Sequence, residues 1–384
     1  MKGLLNIVLL IVFSGRLLAQ DSAAVVPQIQ LNGYLKDMQT LRLYSFADRS
    51  VTDNLIHNRL NFKWIPPGKF RAAAELRNRV FISKELIQTI GFKDGLKNNN
   101  ELFDLSISSE INKSMFFHSN IERLNLEYED KGLNIRIGRQ RINWGQTTTW
   151  NPNDIFNAYN FLDFDYEERP GVDAAKIYYS LGSTSGLEFA YAGRSGNSGD
   201  IVALKYTFNK LNYDFQLISG VFNRRITAGA GWSGYIGDAG FKGEIQYFGA
   251  KHADPAHLNI SLETDYMFKG GWYSNFGLLY NRKGISGYIS DWQSVDLNLS
   301  PENLMPTKWN AILSLGKELN PITSARMSVL YAPGTNLMIL YPTLQYGIAD
   351  NLDLSLIWQS FFANINHEFK PLNHQGVIRI KLSF

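Results

Sequence analysis

Three arginines fall within six residues, Arg136, Arg139 and Arg141, and four carboxylates, Asp163, Asp165, Glu167 and Glu168, follow within another six. Opposed charges at this density can set up a local field that sorts ions, or they can neutralise one another as pairs. The carboxylates also offer the hard oxygen ligands that calcium takes, although solvated acidic side chains have the same composition. Catalysis finds less to work with. The chain has no cysteine, which removes disulfides, thiolate metal sites and cysteine nucleophiles. The serine-hydrolase pentapeptide Gly-x-Ser-x-Gly does not occur, and Gly182–Gly186 carries Thr184 at its centre. His57, His118, His252, His257, His367 and His374 are scattered, and the metal-capable run His252–His257 has the composition of a solvated turn. The expectation is therefore no enzyme, no metal and no cofactor, with a barrel-embedded surface hydrolase as the weaker alternative.

The elements that must position these charges show themselves by period. Ile56, Leu60, Phe62 and Trp64 alternate with His57, Arg59, Asn61 and Lys63, and Phe70, Ala72, Ala74 and Leu76 alternate with Arg71, Ala73, Glu75 and Arg77. The same rhythm recurs to the end of the chain, each time a strand with one apolar and one polar face. Tight turns such as Pro66-Pro67-Gly68 and Lys269–Gly271 alternate with long connections at 83–117, 144–171, 195–199, 251–256, 284–307 and 365–375. Short turns at one end and long loops at the other, with aromatic residues near strand ends, are the asymmetry of a transmembrane barrel. Eighteen strands can be counted. The glycine-rich 226–236 and the Pro342-containing 337–348 are the weakest, and losing one hairpin would leave sixteen. The predicted fold is all-β: a closed antiparallel transmembrane β-barrel over 20–384, with short periplasmic turns and long extracellular loops, wide enough for an aqueous channel.

Composition agrees with this fold. Apart from the first 20 residues, no run approaches the roughly 18–20 apolar residues of a spanning helix. An aromatic content of 13% excludes a disordered chain. Met1-Lys2, the apolar Leu4–Phe13 and Ala19 have the order of a secretory signal, predicted over 1–19. Loss of Lys2 and Arg16 with that segment lowers the formal net charge from +3 to +1, so bulk charge gives no support for nucleic-acid binding. At the other end, Ile378, Ile380, Leu382 and the terminal Phe384 alternate with polar residues. This ending resembles the signal by which bacterial outer-membrane barrels engage their assembly machinery.

Parity assigns the lumen. Arg59, Arg71, Arg77, Arg123 and Arg136 point inward on the early strands, and Arg379 on the closing strand extends the same basic wall. Asp214, Glu244, Glu263, Asp265 and Asp353, with Lys242 among them, would make the opposite wall mildly acidic. In 133–144 the alternation breaks: with Ile135 and Ile137 facing lipid, strict parity would place Arg139 and Arg141 in lipid too. A charge at the bilayer midplane costs ~2–4 kcal/mol, so a bulge at Gly138 is predicted to return both arginines to the lumen. The following loop, 144–171, is rich in aromatic residues and is expected to fold inward as a constriction, with its carboxylates near Arg136, Arg139 and Arg141.

The run Gly138-Arg139-Gln140-Arg141-Ile142-Asn143-Trp144-Gly145, with Asn151-Pro152-Asn153-Asp154 and Arg169-Pro170-Gly171 after it, resembles porin-type outer-membrane proteins. In those, such a strand end and loop sit near the pore. The motifs span about 35 residues, and the acidic, aromatic stretch 161–168 departs from the pattern. The resemblance implies a bacterial outer-membrane channel and names no solute. The reading that follows is a passive channel for small hydrophilic, preferentially anionic solutes, embedded in outer-membrane lipid and compatible with a homo-oligomer. The alternative is a structural barrel within an envelope or secretion complex, contacting its partner through the apolar residues of 83–117.

Overall fold

Alternating patterning can bury one face only if the sheet has a second solvent, and in this chain the sheet closes on itself. The computed structural model describes residues 28–44, 49–89, 91–96, 101–157, 169–195, 199–252, 254–287, 299–365 and 368–384. The predicted signal segment 1–19 lies outside them. The strands are β1 (Gln28–Tyr44), β2 (Arg49–Ile65), β3 (Phe70–Ile82), β4 (Ser106–Asn112), β5 (Met115–Asp130), β6 (Leu133–Gln140), β7 (Val172–Ser180), β8 (Gly186–Ala192), β9 (Ile201–Lys210) and β10 (Tyr213–Phe222). They continue as β11 (Arg225–Ile236), β12 (Ala239–Phe248), β13 (His257–Met267), β14 (Trp272–Asn281), β15 (Trp309–Asn320), β16 (Thr323–Ala332), β17 (Leu337–Ala349), β18 (Leu352–Ile365) and β19 (Glu368–Ser383). Every strand pairing is antiparallel, and all join sequence neighbours except two: β3 pairs directly with β5, and β1 pairs with β19. Of the nineteen strands β4 alone stands outside the ring, so the closed barrel has eighteen, as the sequence predicted.

Closure is made by β1 and β19, which pair from Tyr34↔Ser383 to Tyr44↔Asn373. Gly33 and Phe384 exchange both backbone hydrogen bonds, at 2.8 and 3.0 Å. An added Cβ at Gly33 would sit 2.1 Å from the Arg59 carbonyl oxygen, so glycine is required at this seam. The outward positions are the exposed apolar ones, among them Leu126, Ile137, Ile177, Leu204, Leu217, Leu278, Leu313 and Ile380. A largely apolar exterior on a closed sheet is what a hydrocarbon surround demands, because there the backbone groups must be paired within the ladder. Rings gather near the strand ends: Phe70 meets Tyr128 at 5.2 Å, Tyr206 and Phe215 flank Phe208, and Tyr280 lies 4.6 Å from Trp309. They suit the interfaces, being apolar in body and, for Tyr and Trp, polar at one edge.

Two expectations need correcting. Residues 365–375 are not a long loop, because β18 and β19 run on to Ile365 and Glu368. The bulge is not at Gly138 either: β5 and β6 stay in register through Asn125↔Gly138 and Leu124↔Arg139. The extra residue is on β5, where the β3 ladder steps from Glu75↔Arg123 to Leu76↔Ile121 and leaves Glu122 over. Gly138 does hold a φ of +113°, and a side chain there would meet the Leu124 carbonyl at 2.2 Å.

β6 leaves the wall at Gln140, and β4 takes the place above it. β4 pairs with the half of β5 that β6 does not reach, from Ser106↔Asn120 to Asn112↔Met115. The chain just before it ties into the far side of the gap: Leu102 N–H and Phe103 N–H donate to Asp173 on β7, and Ser195 N–H donates to the Glu101 carbonyl. Leu102, Phe103, Ile107 and Ile111 are exposed on this patch, as the lipid-side residues of the neighbouring strands are.

Candidate functional site

With β6 turned out of the wall, residues 141–157 enter the barrel and cross it. Ile142, Trp144, Ile155 and Phe156 are buried against the inner faces of β7–β12, on Ala174, Ala190, Ala192, Ala203, Ile218 and Phe248. Trp150 packs farther round, with Leu304 and Met305 of another inward connection, against Leu279, Ile312, Leu330 and Ile339. The small inward side chains of β7–β9 are what make room, since a pocket must be vacated for an indole to enter. Gly229 and Gly231 on β11 do the same for Asn153, because a Cβ at either would lie 2.8 Å from its amide. These alanines and glycines, at positions where a water-filled barrel would place polar residues, are the signal in the sequence that was missed.

Two glutamates hold the loop across the lumen. Glu244 on β12 accepts from the peptide N–H groups of Gln146, Thr147 and Asn153, and Glu263 on β13 from those of Thr148 and Thr149. Five backbone donors that no ladder satisfies thus find carboxylates, which is the strong form of such bonds. Gln216 Nε2 adds bonds to the Trp144 carbonyl and Asn153 Oδ1 at 2.6 and 2.9 Å. Both glutamates are buried, so the acidic far wall expected from parity is largely consumed by the loop. Lys242 and Asp265 pair with each other at 3.4 Å, and Glu188 faces Lys176 and Lys205.

The three motif fragments meet inside the loop. Arg169 pairs with Asp154 and also donates to Asn151 Oδ1, while its carbonyl accepts from Arg123 Nη2 at 2.6 Å. Asn157 Nδ2 donates to the Pro170 carbonyl, and Asn157 Oδ1 accepts from Ile142 N–H. Asp154 is wholly buried, and that burial pushes its carboxyl up to about 6 against the opposing pull of Arg169, the Trp144 N–H and Arg141.

The predicted arginines divide into two groups. Arg139 keeps the outward parity of Ile137 yet reaches neither lipid nor lumen, being 1% exposed. Its guanidinium lies in the wall, 2.9 Å from Asp173 Oδ1 and Glu101 Oε2, and bonded to the carbonyls of Ile121 and Phe103. It is a seam between β4, β5 and β7, and the expectation that it lines the constriction is corrected. Arg136 and Arg141 do face the lumen. With Lys63, Arg71, Arg123, Glu75 and Glu127 they line a cavity of ≈ 490 Å³ between the loop and β1–β6. Five cations there meet two carboxylates, and each carboxylate already has an arginine: Arg136 at 2.7 Å from Glu127, and Arg59 on Glu75. Arg141 makes no hydrogen bond or ion pair with any described residue. Arg71 pairs with Glu129 near the short-turn end, Arg77 lies 3.6 Å from Glu122, and Arg379 on the closing strand donates to Ser355 Oγ. Asp163, Asp165, Glu167 and Glu168 lie outside the described residues. Among the described residues no group of three or more metal-ligating side chains converges.

No protein-family model matches the sequence. No curated protein matches it either. Solved structures do match in shape. OccAB1 of Acinetobacter baumannii superposes with a TM-score of 0.59 at 10% identity, over 94% of this chain and 97% of its own. The outer membrane protein opdK and OccK9 (OpdG), both of Pseudomonas aeruginosa, each give 0.59 at 10% identity, over 93% of this chain and 98% of theirs. At such identities the likeness shows the fold alone: this chain is a closed, eighteen-stranded antiparallel β-barrel of the shape these structures share.

Proposed function

We propose that the protein is an outer-membrane channel through which small hydrophilic solutes, anions preferentially, diffuse passively. One observation carries this reading: the loop that crosses the barrel is fastened to the far wall, so the open space lies along the basic one. A solute on that path passes Lys63, Arg71, Arg123, Arg136 and Arg141, while Glu244 and Glu263 are out of its reach. A field of one sign in a narrow, low-dielectric channel raises the local concentration of counter-charged solutes. Diffusion down a gradient needs no further chemistry. The segment 1–19 as an export signal, and the Phe384 strand as the handle for assembly, belong to the same reading.

The envelope-complex alternative loses its support, because the apolar residues of 101–111 sit on the exterior of the wall, where lipid accounts for them. The test is single-channel recording of refolded protein in a planar bilayer under a salt gradient. A reversal potential favouring chloride is expected, moving toward potassium in Arg136→Gln/Arg141→Gln. Absence of conductance from folded protein would refute the channel, and an unchanged potential in the double variant would refute the role of these arginines.

A further inference from the structure

The outer wall of a barrel in lipid should be convex and apolar, and around β16–β19 and β1 it departs from both. An apolar depression of ≈ 940 Å³ descends from Thr52 and Leu41, near the long-loop ends of β2 and β1, to Trp272 at the short-turn end of β14. Its floor lies where outward side chains are small: Gly376, Pro342 and Ala325, which ladder with the outward Leu41, Met327 and Leu344. Trp358 forms part of its rim. The indole lies across Gly376, where an added Cβ would meet it at 2.8 Å.

The same rim carries the polar departure. Trp358 Nε1 donates to Ser360 Oγ at 2.8 Å, and His374 Nδ1 lies 2.8 Å from that oxygen. Ser360 and His374 are ladder partners on the lipid side, two residues along from the pair Trp358 and Gly376. Rings hold the imidazole in place, Trp358 stacked at 6.2 Å and Phe362 edge-on at 5.7 Å. The protons can be counted. With the indole donating to Oγ, the hydroxyl donates to Nδ1, and the ring proton is then on Nε2, where no described residue accepts it. The other tautomer leaves the hydroxyl proton over instead. Either way one donor faces lipid, eight residues above the short-turn end of β18. At ~3.3 Å per residue and a tilt of ~40–45° that is ~19–20 Å of height in an apolar band ~25 Å tall. An unsatisfied donor in hydrocarbon is costly. Near the outer edge of the band, the acceptor that lipid supplies is the carbonyl oxygen joining an acyl chain to its head. We infer that this face is a binding site for one outer-leaflet acyl lipid, whose ester or amide carbonyl accepts from the His374–Ser360 pair and whose chain lies in the depression below. The two features need each other: a groove without the donor would take any hydrocarbon, and the donor without the groove would hold no tail.

The test places the full chain in vesicles of diacyl phosphatidylethanolamine or of its di-ether analogue, which lacks the carbonyls, each doped with the same lipid carrying a diazirine in one chain. Illumination and peptide mapping are expected to put the label on β17–β19, around Leu344, Trp358 and Ile378, in excess over Leu204 on the opposite wall. The diacyl lipid should label this face roughly 2- to 10-fold more than the di-ether lipid, which is the worth of one hydrogen bond. His374→Phe should erase that difference by lowering the diacyl signal. Ala325→Leu, which fills the floor and leaves the polar pair intact, should lower both signals. Heat-modifiability reports whether each variant is folded, and should His374→Phe fail to fold, the ratio between the two lipids on the native chain decides alone. Label spread evenly round the barrel, equal labelling by the two lipids, or crosslinks from the depression to a second copy of the chain would each overturn the inference. None of these outcomes bears on whether the barrel conducts.

Discussion

At the scale of single residues, two arginines two positions apart do opposite work. Arg139 ties three strands and two acids together inside the wall, whereas Arg141 faces open space in the lumen. Removing one partner of a buried ion pair leaves uncompensated charge at a cost of ~3–5 kcal/mol. Arg139→Ala is therefore expected to lower the temperature at which the folded, heat-modifiable band disappears, with the reversal potential of surviving channels unchanged. Arg141→Ala should do the reverse, and similar effects from both would contradict the division. Asp154 supplies a second test. Its carboxyl is raised to about 6 by burial, so between that value and the ordinary 3.8 the folded loop holds a proton that the unfolded chain does not. Its contribution to stability is accordingly greatest in acid and is lost as the pH rises through about 6. Protonation also leaves Arg169 without its anionic partner and adds positive charge to the lumen. Chloride preference should thus increase on acidification with a midpoint near pH 6, and a titration of the reversal potential should lose that step in Asp154→Asn.

At the scale of elements, the loop and β4 are two halves of one rearrangement: β6 stops early so that its continuation can cross the lumen, and β4 patches the gap. The crossing depends on Glu244, whose removal strands three peptide N–H groups at ~1–3 kcal/mol each. Glu244→Ala should release the loop while the ladders persist, giving higher and noisier conductance from a barrel of unchanged heat-modifiability. Steady currents at the native level would show that the loop is held by its apolar anchors alone. Much of this was legible from alternation, since a strand with one lipid face must repeat every second residue, and all eighteen ring strands announce themselves that way. β4 did not, because Ser106–Asn112 carries only Ile107 and Ile111 as apolar outward residues, and its pairing to β5 depends on where β6 ends. Arg139 was misplaced for a related reason: parity distinguishes two faces of a wall and has no category for a side chain sealed within it. The loop's inward course was suggested by its aromatic content, but its docking surface was hidden in unremarked inward alanines and glycines.

At the scale of the whole molecule, the electrostatic asymmetry comes from what the far wall spends rather than from what the near wall has. Counted over the whole sequence, acids and bases nearly balance, 35 against 38. Glu244 and Glu263 bind peptide groups, Glu188 holds Lys176 and Lys205, and Asp154 holds Arg169, so the acidic half is turned inward on protein. What solutes meet is the remainder, an excess of cations along β2–β6. Such an excess acts through water over several ångströms and must be screened by salt, with a Debye length of ~10 Å at 0.1 M and ~3 Å at 1 M. The chloride-to-potassium permeability ratio is therefore expected to be largest in dilute salt and to fall toward unity between 0.1 and 1 M, with Arg136→Gln/Arg141→Gln starting lower and changing less. A ratio indifferent to ionic strength would mean that anions are chosen by contact at a dry constriction, where screening does not reach, rather than by the field of the open basic wall.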